Sequence, residues 1–263
     1  MISRHRYLYR PPPKNHPLLL ARSGYFPPTL TAIPDTIDLR PFLLSPRDQG
    51  AEGCCSGFAT AALREALHNL APSSGAPLAS PGTLGSYLSP AYLYARTRMV
   101  EGTFPQDSGA TIADEMSTLE NYGVPLEAVL PYTGDASEGT DPADDVAAAA
   151  EKVASALCLN VDGSVPISAI EACLANNQPV DFGMPVYESF ETTGSDGLVP
   201  IPNTATETLL GGHAMLAVGF FHTAARLIVR NSWNASWGLG GYCLIPYAIV
   251  ASFFEAWTAP IES

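Results

Sequence analysis

Residues 48–59 read DQGAEGCCSGFA, two adjacent cysteines framed by small residues, with a helical pattern opening at the second of them. From Cys55 onward the apolar residues Ala59, Ala62, Leu63, Ala66, Leu67 and Leu70 recur at the i, i+3, i+4, i+7, i+8 spacing of one helix face, and Pro72 stops the run. A buried helix therefore begins at the cysteine pair. The thiolate is the nucleophilic form of cysteine, and a helix N-terminus lowers the thiol pKa from its free value of about 8.5. Cys55 meets that condition by position, whereas a cysteine against a helix is in general a small buried hydrophobe. The rest of the chain has to decide between the two readings.

With 263 residues, 46% apolar and 15% charged, the chain can bury the core of one large domain or of two packed lobes. A net charge of −13 excludes a general nucleic-acid surface, which needs clustered Lys and Arg. No apolar run approaches the roughly 18 residues of a membrane span, and the start MISRHRYLYRPPPKNH has no apolar stretch of the secretory kind. The expectation is a cytoplasmic monomer with no membrane or nucleic-acid partner. Five cysteines, Cys54, Cys55, Cys158, Cys173 and Cys243, are an odd and low count that argues against a disulfide framework and for a reducing compartment. No Cys-x-x-Cys or His-x-x-x-His spacing occurs, so neither a metal site nor a cofactor is expected.

Charge is unevenly spread. Residues 1–34 hold Arg4, Arg6, Arg10, Lys14 and Arg22 with no acid, which leaves −18 on the remainder. Seven prolines between Pro11 and Pro34 predict an extended, polyproline-like arm without helix. Residues 35–263 form the second unit. In it SGATIADEMSTLENYG predicts a helix capped by Thr111 and stopped by Gly123. DPADDVAAAAEKVASAL and ISAIEACLANN predict two shorter helices. After residue 178 the runs PVDFGMPV, HAMLAVGFF, ARLIVRN and GYCLIP predict strands. Helices first and strands second indicate an α+β fold in two lobes.

Three separated segments then carry a resemblance. DQGAEGCCSGFA, GGHAMLAVGF and LIVRNSWNASWGLGGYCLI resemble, in this order, the cysteine, histidine and asparagine segments of papain-like cysteine peptidases. The segments IPDTIDLRP, LSPAYLYARTR, DSGATI and VPLEAVLPYTG are similar to the bacterial branch typified by xylellain. The resemblance implies the papain-like fold, a mainly helical N-terminal lobe and an antiparallel, barrel-like β lobe with the site in the cleft between them. It implies Cys55 as nucleophile, because Gln49 lies six residues before it and would line the oxyanion hole. It further implies His213 as base, Asn231 as the group orienting the imidazole, and Trp233 as a shield over their hydrogen bond.

Ser108 and Gly109 fall where the family pairs its backbone with an extended substrate. Gly211, Gly212 and Ala214 flank the histidine with minimal side chains, which leaves room for a peptide. Two departures stand out: Glu52 occupies the position of a disulfide cysteine, and Ser56 the position of an aromatic residue. No histidine occurs between residues 69 and 212 to form an occluding loop, so endopeptidase action on peptides or proteins through a thioester is expected. An acyltransferase or amide-modifying toxin using the same thiol, and a catalytically silent binding module, are the alternatives. The arm is expected to pack along the catalytic body and restrict the cleft, as the N-terminal segments of the family's zymogens do.

Overall fold

The computed structural model describes residues 5–27, 32–71 and 87–261. The helix beginning at the cysteine pair, α2 (Cys55–Leu70), is buried along nearly its whole length. Its small residues, Ala59, Ala61, Ala62 and Ala66 among them, let neighbouring elements approach it from several sides. It ends at Ala71, whose backbone N–H bonds back to Leu67 and His68; the expected stop at Pro72 lies outside the described residues.

Two further helices pack with α2 in the first lobe. In α3 (Pro90–Glu101) the Ser89 side chain accepts from the Tyr92 amide, proline starts the first turn, and Gly102 closes the end in the left-handed conformation. In α4 (Ile112–Asn121) Thr111 caps as its sequence predicts, accepting from the Asp114 amide. Behind them the acid-rich segment forms only α5 (Pro142–Ala148) with one further 3₁₀ turn. The helix expected across residues 141–157 therefore stops early, and the chain turns into the two-residue strand β2 (Leu157–Cys158).

The second lobe, with α6 (Ile167–Ala175) beside it, is an antiparallel sheet. Its path runs β2, β7 (Glu255–Thr258), β3 (Val180–Tyr187), β4 (Leu209–Phe221), β5 (Arg226–Arg230) and β6 (Tyr242–Pro246), with β1 (Thr36–Asp38) joined to the far end of β4. Its two end strands, β2 and β6, are not paired with each other, so the sheet curves without closing. The single turn α7 (Tyr247–Val250) separates β6 from β7. One face of β4 packs on α2, and one continuous apolar core runs from Leu63 and Leu67 of α2 through Phe182 of β3, Phe220 of β4 and Trp257 of β7. The α+β, two-lobe architecture is the expected one, and it sets the start of α2 against the middle of β4.

The arm departs from its expected form in one place. Residues 17–22, PLLLAR, make a short helix α1 (Pro17–Arg22), with proline in its first turn where the missing N–H costs nothing. Leu18 and Leu19 pack against the core, so burial supplies what helical periodicity did not announce.

Candidate active site

Cys55 is the first residue of α2 and is fully buried. His213, on β4, is likewise fully buried, and its Nε2 lies 2.8 Å from Asn231 Oδ1. Asn231 follows β5 directly, and its Oδ1 also accepts the Ser232 amide at 2.8 Å, which fixes the oxygen toward the ring. The ring must then donate from Nε2, which leaves Nδ1, without a hydrogen-bond partner among the described residues, as the basic nitrogen. Trp233 stacks on the His213 ring at 5.1 Å between centroids and 27° between planes, and is itself wedged against Phe190 and Trp237.

Gln49 is buried beneath the same loop. Its Oε1 accepts the Ser232 hydroxyl at 2.6 Å, and its Nε2 donates to the Glu52 carbonyl at 3.0 Å. Backbone pairing of Gln49 N with Ser232 O completes the tie, so the residue next to Asn231 also holds Gln49. Ser232 is a supporting residue that the sequence did not single out, and a serine in NSW carries no signal of its own. Cys54 lies on the other side of the helix start, its Sγ turned to the Pro90 carbonyl at 3.5 Å. All five cysteines are free and buried.

The groove across these residues is occupied by the protein's own N-terminal arm. The His5 ring stacks on Trp233 at 4.6 Å and 8°, in contact with a residue of the site. The Tyr7 ring meets His213 and Trp233 edge-on, and its hydroxyl donates to Glu191. Leu8 bridges to Gly212 and lies on Gly109, Tyr9 N donates to Gly212 O at 3.2 Å, and Arg10 N donates to Ala110 O at 3.2 Å.

Gly109 has φ of +69°, and a Cβ there would fall 1.7 Å from Leu8 O; Gly211 has φ of +146°, and a Cβ would fall 2.3 Å from Tyr7 O. Only glycine serves at either position. Of the expected peptide-contacting residues, Gly109, Gly211 and Gly212 thus line the arm. The Ser108 hydroxyl is engaged with Thr103 and the Gly109 carbonyl, while Ala214 is buried with its backbone amide against the Cys55 sulfur. Ion pairs flank the path, Arg6 with Asp107 at 2.8 Å, Arg10 with Glu101 and Arg22 with Glu120 at 2.8 Å, and His16 Nε2 lies 3.0 Å from Asp114 Oδ1.

Electrostatics follow from this cover. Burial pushes the Cys55 thiol up to about 12, against the pull of the Ala214 and Ser56 amides, and the carboxyls of Asp181 and Glu115 behind it push the same way as burial. Burial holds His213 down at about 4 despite its bond to Asn231. With the arm seated, thiol and imidazole are both neutral near pH 7. Tyr9 is buried, and its hydroxyl reaches the carboxylate of Glu255, 246 residues further along the chain. Neither residue is legible as part of a site from sequence, because nothing local connects them.

Comparison with known proteins gives concordant matches. The description of the papain family cysteine proteases matches residues 33–251. The crystal structure of xylellain, a cysteine protease from Xylella fastidiosa, superposes with a TM-score of 0.80 at 26% identity, covering 100% of both chains. An uncharacterised peptidase C1-like protein of Acanthamoeba polyphaga mimivirus is 33% identical over 171 residues, 61% of this chain and 53% of that protein. Cysteine proteinase 3 of Entamoeba histolytica is 25% identical over 225 residues, 81% of this chain and 63% of that protein. The chain thus spans somewhat over half the length of these two sequence relatives.

Proposed function

The chain belongs to the papain family of cysteine proteases, and from that premise we propose that it is a cysteine endopeptidase acting on peptides or proteins, held in check by its own N-terminal arm. The observation that carries the reading is the hydrogen bond between His213 and Asn231 under Trp233, which leaves the imidazole's second nitrogen unpartnered as a base. In the reaction His213 Nδ1 takes the Cys55 proton, and the sulfur adds to the scissile carbonyl carbon. The Gln49 side-chain amide and the Cys55 backbone N–H stabilise the oxyanion, a contribution of about 10²–10³ in rate for one such donor. His213 returns the proton to the departing amine, leaving a thioester on Cys55. Water, deprotonated by the same imidazole, then releases the acid and restores the thiol.

Residues 5–10 fill the groove that this chemistry requires, and their contacts with Gly109, Gly211, Gly212 and Trp233 support an inhibitory arm. Departure of the arm re-exposes the pair to water, lowers the thiol pKa and raises that of the imidazole, so that the thiolate–imidazolium pair forms. Five free thiols, together with Glu52 at the disulfide position, support action in a reducing compartment such as the cytoplasm. Reaction with an epoxysuccinyl peptide tests the whole reading. A single adduct on Cys55, with loss of peptide hydrolysis, is expected; an adduct on another residue, or hydrolysis that persists after labelling, overturns it.

A further inference from the structure

Residues 49–55 carry both oxyanion donors, the Gln49 side-chain amide and the Cys55 backbone N–H, so the path of this loop decides whether the two converge. Neither a cap nor a disulfide holds it: Cys54, the N-cap of α2, makes no side-chain capping bond, and every cysteine is free. Bonds from neighbouring segments hold it instead. At the front Gln49 N donates to Ser232 O at 2.8 Å, and the Tyr132 hydroxyl donates to the Gln49 carbonyl at 2.6 Å. At the rear the Gly53 amide donates to the Asp107 side chain, 3.0 Å from Oδ1 and 3.3 Å from Oδ2. That bond fixes the chain just before Cys54, which with φ of −85° and ψ of 22° turns it into α2.

Asp107 is in turn braced by α3. The Tyr94 hydroxyl donates to Asp107 Oδ1 at 2.6 Å and accepts the Gly109 amide at 2.9 Å. Burial first, and then Asp107 beside it, push this hydroxyl well above its usual range, so it keeps the proton it donates. One turn further along α3, Arg98 is fully buried and lies 3.8 Å from the centre of the Tyr94 ring. Its Nη1 donates to Gln106 O at 2.7 Å and to Ala136 O at 2.9 Å, and its Nε to Tyr94 O at 3.1 Å. One helix thus fixes both the residue before Asp107 and the side chain of Asp107. Oδ2 faces the arm and takes Arg6 at 2.8 Å; an acid that served the arm alone would need neither Tyr94 nor Gly53.

We propose that Asp107, backed by Tyr94, is a positioning residue of the reaction, holding Gly53 so that the Cys55 amide points at the oxyanion alongside the Gln49 side chain. The proposal rests on the peptidase reading of the same loop. Only Gly53 and Cys54 separate the held amide from the Cys55 amide, so rotation about their bonds carries the second group off target. An oxyanion donor works within about 2.7–3.1 Å of the developing charge, and a misplacement of about 1 Å costs about 10²-fold. The interaction belongs to the transition state, so its loss falls on kcat and leaves KM in place.

The test uses the full chain carrying Arg6→Ala as its reference, so that no variant gains or loses an arm contact at Asp107. Reactive Cys55 is counted with an epoxysuccinyl peptide, and kcat is expressed per titrated site. Adding Asp107→Ala should lower kcat by about 10-fold or more, with KM within about 2-fold of the reference. Asp107→Asn keeps an Oδ1 that accepts from Gly53 and Tyr94, and should restore kcat to within about 3-fold. Tyr94→Phe, which preserves the buried ring, is the second variant and should lower kcat several-fold. Amide exchange, read by mass on peptides spanning residues 49–58, should quicken in Asp107→Ala and not in Asp107→Asn. A reference-like kcat in Asp107→Ala or Tyr94→Phe, a loss confined to KM, or an Asp107→Asn chain as impaired as Asp107→Ala overturns the proposal. Exchange that quickens only in Asp107→Ala, in a protein that hydrolyses no peptide, keeps the tie and refutes the peptidase reading; hydrolysis indifferent to Asp107 does the reverse.

Discussion

At the residue scale the two adjacent cysteines are distinguished by direction. Cys55 turns toward the Ala214 amide of β4, whereas Cys54 turns toward the Pro90 carbonyl of α3. Cys55→Ala should abolish turnover, and Cys54→Ser, whose hydroxyl can also donate to Pro90, should keep most of it in steady-state assays. Equal loss in two folded variants would refute the assignment. His213→Ala should be inactive, and Asn231→Ala less severely impaired, because asparagine orients the ring without taking its proton. Burial also has a sign that pH can read. His213 is held down at about 4, so the covered state gains its full stability from this group above about 6.5 and loses it as pH falls from there to about 4, where the uncovered imidazole charges and the buried one does not. Cys55 is pushed up to about 12, so iodoacetamide should alkylate it at pH 7 at least about 10²-fold more slowly in the intact chain than after unfolding, as read by peptide mass. Cys55, His213, Asn231 and Gln49 were legible because each sits in a local motif. Tyr9 and Glu255 were not, since their meeting depends on tertiary structure alone.

Among the elements, legibility followed local chemistry. The helix at Thr111 combined a cap, apolar spacing and a stop, and α4 runs as those signals indicate. The strands β3 to β6 were announced by their branched and apolar runs. By contrast α3 was read only as a connecting segment, although Ser89, Pro90 and Gly102 bracket it with start and stop signals; its tyrosines and arginines blur the apolar stripe. The alanine-rich segment ending near residue 151 was over-read, since helix propensity without an apolar stripe gives little to bury. The cap of α3 is also a bridge: the Ser89 hydroxyl accepts from Tyr92 N at 3.0 Å and donates to Leu130 O at 2.6 Å. Ser89→Ala should therefore cost about 1–2 kcal/mol, seen as a lower urea midpoint with unchanged m.

For the whole molecule, composition and segment order indicated an α+β chain in two lobes, but strand order was beyond them. The sheet places β7, at the end of the sequence, between β2 and β3, and such non-local pairing leaves no trace in neighbouring residues. The division into a basic arm and an acidic body was visible at once, and the ion pairs at Asp107, Glu101 and Glu120 give it positions. In each pair the arginine is more than a third exposed, and pairs open to solvent in this way contribute about 0–1 kcal/mol each and weaken with salt. The full chain with Arg6→Glu, Arg10→Glu and Arg22→Glu should thus have kcat/KM raised about 10-fold, and the unaltered chain should gain activity as ionic strength rises. Unchanged kinetics in both experiments would leave the arm without an inhibitory role. The arm is also leashed: shortly after it ends, β1 pairs with β4, the strand that carries His213. Arm and groove are therefore one molecule, meeting at an effective concentration on the order of millimolar whatever the protein concentration. A single backbone cut before β1 would abolish that advantage. Thereafter dilution alone would govern occupancy, and if the arm inhibits, a preparation nicked at high concentration should gain activity on dilution.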